Sequence, residues 1–227
     1  MAGFILGEKS IQSQTFNEKG ERIPTTFIHT SPCFLVAVKD VSQKYLAIKL
    51  GFGVTKNIKK SVRGELTKAG IKTPLRFIKE FRIEKYGTNV TIVNENNKQG
   101  IKLNDQIVFV GAEVKPSVVF KKGEKVNIAG MSKGKGFQGV VTRHKFAGGP
   151  RTHGQSDRER APGSIGMTTT PGRIFKGKRM AGHMGFEKVT IKNLLIVDVK
   201  DDGMLVKGLI PGSVNGYVEV KTNYKTI

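Results

Sequence analysis

The sequence has one cysteine, no apolar run approaching the roughly 20 residues that a bilayer span requires, and fewer than half as many acids as bases. Each shortage removes a class of protein. With Cys33 alone, inside the apolar run Cys33–Val38, no disulfide framework and no paired-cysteine metal knuckle can be drawn. The thiol is expected in a core and the compartment is expected to be reducing. Without a long apolar segment the chain is expected to be soluble. The opening residues put no basic region ahead of an apolar stretch and form no arginine-rich amphipathic segment, so no signal or transit peptide is expected.

The shortage of acids says most about function. Only 18 of them face 39 lysines and arginines, a formal net charge of +21 with a pI near 10.1. Solubility alone asks for far less, and a polyanionic partner is the direct inference. At 227 residues the chain holds one ordinary domain with an appendage, or two small domains.

The two ends of the chain read as β-structure. Thr25–Leu50 divides into three short strands, Thr25–Thr30, Cys33–Asp40 and Lys44–Leu50, with turns at Ser31-Pro32 and around Val41–Gln43, as in a meander. Lys56–Ala69 carries Ile58, Val62, Leu66 and Ala69 at helical spacing, with Gly70 as the stop and an exposed face made mostly of lysine. Pro74–Gly87 suits helix or strand. Strand-like runs return at Asn89–Asn94, Asp105–Gly111 and Ser117–Gly130. Residues 189–212 read as a hairpin about Asp201-Asp202-Gly203, followed by a last strand at Gly216–Lys221.

Residues 131–185 are different. They hold 12 of the 28 glycines, 11 lysines and arginines, only two acids (Asp157 and Glu159) and 14 apolar residues. No period of 3.6 or 2 persists for more than a few residues, so an arm without regular structure is expected. Fixing each backbone residue costs about 1–2 kcal/mol, and so few apolar side chains cannot supply a core to offset it. The arm therefore needs a partner to order it. Its charge points to nucleic acid: glycines let the backbone approach phosphates, and cations neutralise them. Lys133, Lys135, Arg143, Lys145, Arg151, Arg158, Arg160, Arg173, Lys176, Lys178 and Arg179 are the candidate phosphate contacts. Phe137, Phe146 and Phe175 either stack on bases or anchor the arm on protein.

The stretch "SKGKGFQGVV" places Gly134, Gly136 and Gly139 in the spacing of a nucleotide-binding loop. A dinucleotide fingerprint needs a helix directly after the glycines. The residues that follow, two valines and then Gly148-Gly149-Pro150 a few positions on, predict none. The kinase pattern matches through Val141, but no HRD or DFG follows, and the only "AIK", Ala47–Lys49, lies upstream. A Walker loop fails because Lys135 is followed by Gly136 where Ser or Thr is required. His153, Ser156 and Asp157 are too close in sequence to assemble a hydrolytic triad. His144, His153 and His183 match no common metal spacing, so stacking or hydrogen bonding to RNA is the expectation for all three, with His153 and His183 taken as candidate RNA contacts. Neither an enzyme nor a cofactor is expected.

"GMSKGKGFQGVV", followed by "THGQS", "RAPGSIGMTTTPGRIFKGKRMAGHMG" and "VTIKNLLIVDV", resembles the bacterial-type large-subunit ribosomal protein of the universal L-three family. "GEKSIQSQTFNEKG" is similar to the family's opening and "LVKGLIPG" to its closing hairpin, although Gln12-Ser13-Gln14 departs from the usual opening motif. The resemblance implies a mainly β fold with minor α: a translation-protein-type β-barrel from residues 1–130 and 186–227, a helical insertion at about 56–80, and a long irregular arm at 131–185. It implies a non-catalytic constituent of the large subunit in a cytoplasmic or organellar ribosome. Its partners would be large-subunit rRNA, in the 3′ domain and near the peptidyl transferase centre, and neighbouring ribosomal proteins, with no membrane, cofactor or small-molecule substrate. The RNA-embedded motifs would be Ser132–Gly139, Thr152–Ser156, Arg160–Gly166 and Pro171–Gly185.

Overall fold

A computed structural model of the chain describes residues 3–40, 45–84, 91–95, 98–103 and 106–222. In chain order the elements are β1 (Phe4–Phe16), β2 (Arg22–His29), β3 (Cys33–Asp40), β4 (Tyr45–Val54), α1 (Lys60–Lys68), β5 (Leu75–Glu84), β6 (Thr91–Glu95), β7 (Lys98–Leu103), β8 (Gln106–Phe109), α2 (Pro116–Val119), β9 (Lys125–Met131), β10 (Gly136–Gln138), α3 (Val140–His144), β11 (Gly182–Met184), β12 (Lys188–Lys200), β13 (Gly203–Lys207) and β14 (Tyr217–Thr222). The chain divides into two compact units, one made of Met1–Met131 with Lys188–Ile227, the other of Ser132–Glu187.

In the first unit six strands close into a barrel in the order β1-β14-β9-β12-β13-β2. Every pairing is antiparallel. Alternation explains closure: Val126 and Ile128 on β9, Met204 and Val206 on β13, and Val218 and Val220 on β14 are fully buried at every second position. Closing the sheet also removes its edges. Two small antiparallel sheets accompany the barrel, β3-β4-β5 and β6-β7-β8. Their apolar faces join the barrel residues in one continuous core. Phe4 stacks on Phe81 with ring centroids 5.1 Å apart, and Phe77 on Tyr217 at 4.6 Å. A satellite core of Val36, Leu66, Ile71 and Leu75 seats α1 on its sheet.

The hairpin expected about Asp201–Gly203 is β12–β13, and β14 is the expected last strand. Cys33 is fully buried, and burial pushes its thiol pKa up to about 12. Other expectations need correction. The meander is β3-β4-β5, whereas β2 belongs to the barrel between β1 and β13. Pairing with β1 on one side and with distant β13 on the other, not with β3, captures Thr25 and Thr26 as buried barrel residues. Pro74–Gly87 resolves as strand β5 over Leu75–Glu84, which leaves Lys60–Lys68 as the helix of that region. Ser117–Val119 is helical, because Pro116 starts a short turn of helix there with its fixed φ. The turn expected at Val41–Gln43 lies outside the described residues.

The strands that flank the second unit are neighbours. Met131, the last residue of β9, stands opposite Lys188, the first of β12. The Lys188 ammonium reaches past β9 to β14, donating to both carboxylate oxygens of Glu219 at 2.9 and 2.8 Å. Lys79 of β5 lies 3.6 Å from the same carboxylate, whose side chain is only 6% exposed. Lys221 joins this group with its ammonium 4.9 Å from the Phe81 ring centre. Burial holds its pKa below the ordinary lysine value, against the pull of Glu219. One nearly buried carboxylate thus separates three lysines. Glu219→Gln should lower stability by about 1.5–3 kcal/mol, the usual worth of hydrogen bonds to a charged group, read as a fall in Tm. An unchanged Tm would mean that the lysines are independently solvated.

Candidate nucleic-acid interface

Ser132–Glu187 folds back on itself at its base. Ser132 donates its backbone N–H to the Glu187 carbonyl at 2.9 Å, Glu187 returns one to Ser132 Oγ at 3.2 Å, and Lys135 donates to the Met184 carbonyl at 2.9 Å. β10 and β11 then pair antiparallel, placing Phe137 opposite His183. Gly185 makes this approach possible: its φ is +77°, and a Cβ there would lie 2.3 Å from the Lys133 carbonyl oxygen.

The segment after the glycines was expected to form no helix. It forms α3, five residues long, with Gly139 as the N-cap and Lys145 ending it in the left-handed conformation at φ 58°. Val140, the buried residue of this unit, anchors it. The β-branched pair costs only tenths of a kcal/mol in helix propensity, and tertiary contacts exceed that. A dinucleotide loop still does not follow. The fingerprint belongs to a parallel strand-helix-strand unit, whereas the three-residue strand before this helix is paired antiparallel.

Those contacts come from the two residues at the end of α3. Arg143 donates from Nη1 to the Met180 carbonyl at 2.9 Å, and His144 Nε2 lies 2.9 Å from the same oxygen. Gly182 lacks the side chain that would otherwise meet Arg143, since a Cβ there would stand 2.6 Å from Nη1. Arg143 therefore organises the arm. Two further candidates also have partners within it. Arg151 pairs with Glu159 at 2.9 Å, and Arg160 donates to Thr142 Oγ1 at 3.1 Å. Gln155, assigned with its amide oxygen toward the chain, accepts from the N–H groups of Arg158 and Glu159 at 2.8 Å each. Gly148, at φ +78°, admits the Glu159 carbonyl where a Cβ would clash at 2.3 Å.

The other eight cationic candidates, Lys133, Lys135, Lys145, Arg158, Arg173, Lys176, Lys178 and Arg179, are exposed and have no side-chain partner among the described residues. Every residue from Pro162 to Arg179 is exposed, with Met167, Ile174 and Phe175 among them. Phe137 is 74% exposed, so it anchors nothing, while half-buried Phe146 lies beside His144 with ring centres 6.1 Å apart. His153 and His183 are exposed as well. At the base of the arm, Lys133, Lys135, Arg143 and His144 line a cleft of about 480 Å³. No hydrogen bond links His153, Ser156 and Asp157. Among the described residues no group of three or more His, Cys, Asp or Glu is placed to hold a metal, and no helix is long and apolar enough to cross a membrane. Sequence reasoning missed the organising set of Thr142, Gln155, Glu159 and Met180. Their partners lie up to 37 residues away, and no local pattern marks them.

The fold and this segment define a class: a β-barrel that carries a cationic insertion, nearly without a core, between two paired strands. The family model described as "Ribosomal protein L3" matches residues 78–204. The large ribosomal subunit protein uL3 of Dehalococcoides mccartyi is 43% identical over 224 residues, covering 97% of this chain and 98% of that protein. Those of Herpetosiphon aurantiacus and Chlorobaculum tepidum are 44% and 43% identical, over 97% and 98% of this chain and 96% and 100% of their own. The chain belongs to the ribosomal protein L3 family.

The split between organising and free cations has a measurable signature. Lys176→Ala should reduce the slope of log affinity against log salt for RNA by about 0.7–0.9, one released counterion. Arg143→Ala should weaken binding with a smaller change of slope, because its guanidinium is engaged within the arm. Equal slope changes for the two would contradict the division.

Proposed function

We propose that this protein is a non-catalytic structural constituent of the large ribosomal subunit, binding large-subunit rRNA through Ser132–Glu187. Family membership and near full-length similarity to proteins named for that subunit support the placement. One observation carries the RNA reading: the run Pro162–Arg179 is wholly exposed, holds Arg173, Lys176, Lys178 and Arg179, and contains no acid. Such a segment gains little from folding alone and much from a phosphate-lined crevice. The resemblance extends the reading to the 3′ domain of the rRNA, to the surroundings of the peptidyl transferase centre, to early subunit assembly and to contacts with neighbouring ribosomal proteins. In that setting the arm neutralises phosphates and lets RNA helices pack closely.

Sedimentation of the native protein from a gentle lysate tests this. The expected result is co-migration with the large subunit that survives a high-salt wash and is lost on ribonuclease treatment. Migration as a free small protein would overturn the ribosomal assignment and leave a non-ribosomal RNA binder. Deleting residues 142–179 should leave cooperative melting of the barrel intact while subunit maturation fails, since all six barrel strands lie outside the deletion. Loss of the melting transition would show that the arm is part of the barrel's stability.

A further inference from the structure

One strand of the barrel outruns it. β1 is 13 residues long, but only Phe4–Glu8 pairs with β14, and Lys9 is the last residue bonded on that side, through Gly216 and Asn215. There the neighbouring chain turns away, with Asn215 left-handed at φ 59°. On its other side β1 runs on against β2 as far as the pair Phe16–Arg22. The register fixes where its backbone groups point. Asn17 donates its N–H to the Glu21 carbonyl at 3.0 Å, and bonded and non-bonded pairs alternate along an antiparallel ladder. Ser13 and Thr15 therefore bond to β2, whereas Gln12, Gln14 and Phe16 direct their N–H and C=O groups outward. Among the described residues nothing pairs with these three.

Free edges are ordinarily guarded by charge, proline or bulges. This one has a bulge between Lys9 and Gln12 and nothing beyond it. The run Ser10–Asn17 has no charged residue, no proline and no glycine, in a chain that is 25% charged. Ile11 and Phe16 within it are 69% and 67% exposed. A short, uncharged, β-prone run of this kind is a hazard if left open, so folding alone does not account for it. An added strand would. The open groups are donors and acceptors in alternation, which another extended backbone matches and a phosphate, an acceptor only, does not. Charge agrees: across Ser10–Pro24, Glu18 and Glu21 offset Lys19 and Arg22, a neutral stretch in a chain of net charge +21, with nothing to draw a polyanion. Two copies of so cationic a chain repel one another, which disfavours self-pairing.

We propose that the outer edge of β1, from Gln12 to Phe16, takes an extended segment of a neighbouring large-subunit protein as an added β-strand, with apolar side chains covering Ile11 and Phe16. The proposal rests on the ribosomal reading above and gives one of its protein contacts a surface and a chemistry. Hydrogen exchange tests it first, read by mass spectrometry on peptides covering Ser10–Asn17 in the isolated protein and in intact large subunits. Exchange should slow by about tenfold or more in the subunit, as interstrand hydrogen bonds require. Equal exchange in both states would overturn the added strand while the ribosomal placement stands. Absence of the protein from the subunit would overturn the placement and the strand together.

Photocrosslinking then identifies what covers the edge, with benzoylphenylalanine in place of Ile11 in subunits purified from cells. The expected adduct is with a peptide of another subunit protein. An adduct with RNA, or with a second copy of this chain, would overturn the proposal. Gln14→Pro separates strand addition from side-chain contact. Gln14 stands opposite Pro24 in a non-bonded pair, so the change removes an outward N–H and no bond to β2. The variant should melt like the parent and lose the protein adduct. Gln12→Pro, opposite Thr26 in another non-bonded pair, replaces it if Gln14→Pro melts lower. An undiminished adduct in a variant that melts like the parent would overturn the added strand.

Discussion

The chain leaves the barrel at Met131 and re-enters it at Lys188, two residues held opposite one another by the antiparallel pairing of β9 and β12. The second unit depends on this pairing. A segment of 56 residues with hardly any core has both ends fixed by a sheet that is already closed. Loop-closure entropy grows slowly, by about 0.6 kcal/mol per doubling of length, so a long insertion there costs the barrel little. The barrel core of Ile5, Ile28, Ile128, Val206 and Val220 carries the stability. The insertion is thereby released from the need to fold for its own sake, and its composition can serve a partner.

Charge follows the same division. In the first unit a nearly buried carboxylate, Glu219, balances Lys188 and Lys79 beside the site where the insertion departs. In the second unit three acids, Asp157, Glu159 and Glu187, cannot balance eleven cations. Glu159 is used locally, by Arg151. Arg143 and His144 use a carbonyl oxygen, that of Met180, to fix the short helix against the returning strand. What remains is eight cations without partners, on backbone rich in glycine. That arrangement is unfavourable in isolation through mutual repulsion and favourable against a polyanion.

The readable part of the sequence was the part governed by local chemistry. The β12–β13 hairpin announced itself through two apolar strands about Asp201–Gly203, α1 through Ile58, Val62 and Leu66 at helical spacing, and Cys33 through its apolar neighbours. Pairing between distant segments was not legible. Nothing in Thr25–Thr30 distinguishes a barrel strand between β1 and β13 from a meander strand beside β3, because alternation is the same in both. α3 was missed for a related reason: its valines argue weakly against helix, and the Met180 carbonyl that secures it lies far along the chain. The candidate cations were legible as a group from charge alone. Their sorting into Arg143, Arg151 and Arg160, which hold the arm together, and the others, which face outward, needed coordinates.

On the proposed function, the outward-facing cations of Ser132–Glu187 are neutralised by RNA in the assembled particle. Competitive acetylation with mass spectrometry measures this directly, on the purified protein and on intact large subunits. Lys133, Lys135, Lys145, Lys176 and Lys178 should react freely in the isolated protein and be strongly protected in the subunit, with reactivity restored after ribonuclease digestion. Equal reactivity in both states would contradict the account, because lysines that remain open to reagent in the particle cannot be the ones that hold its phosphates.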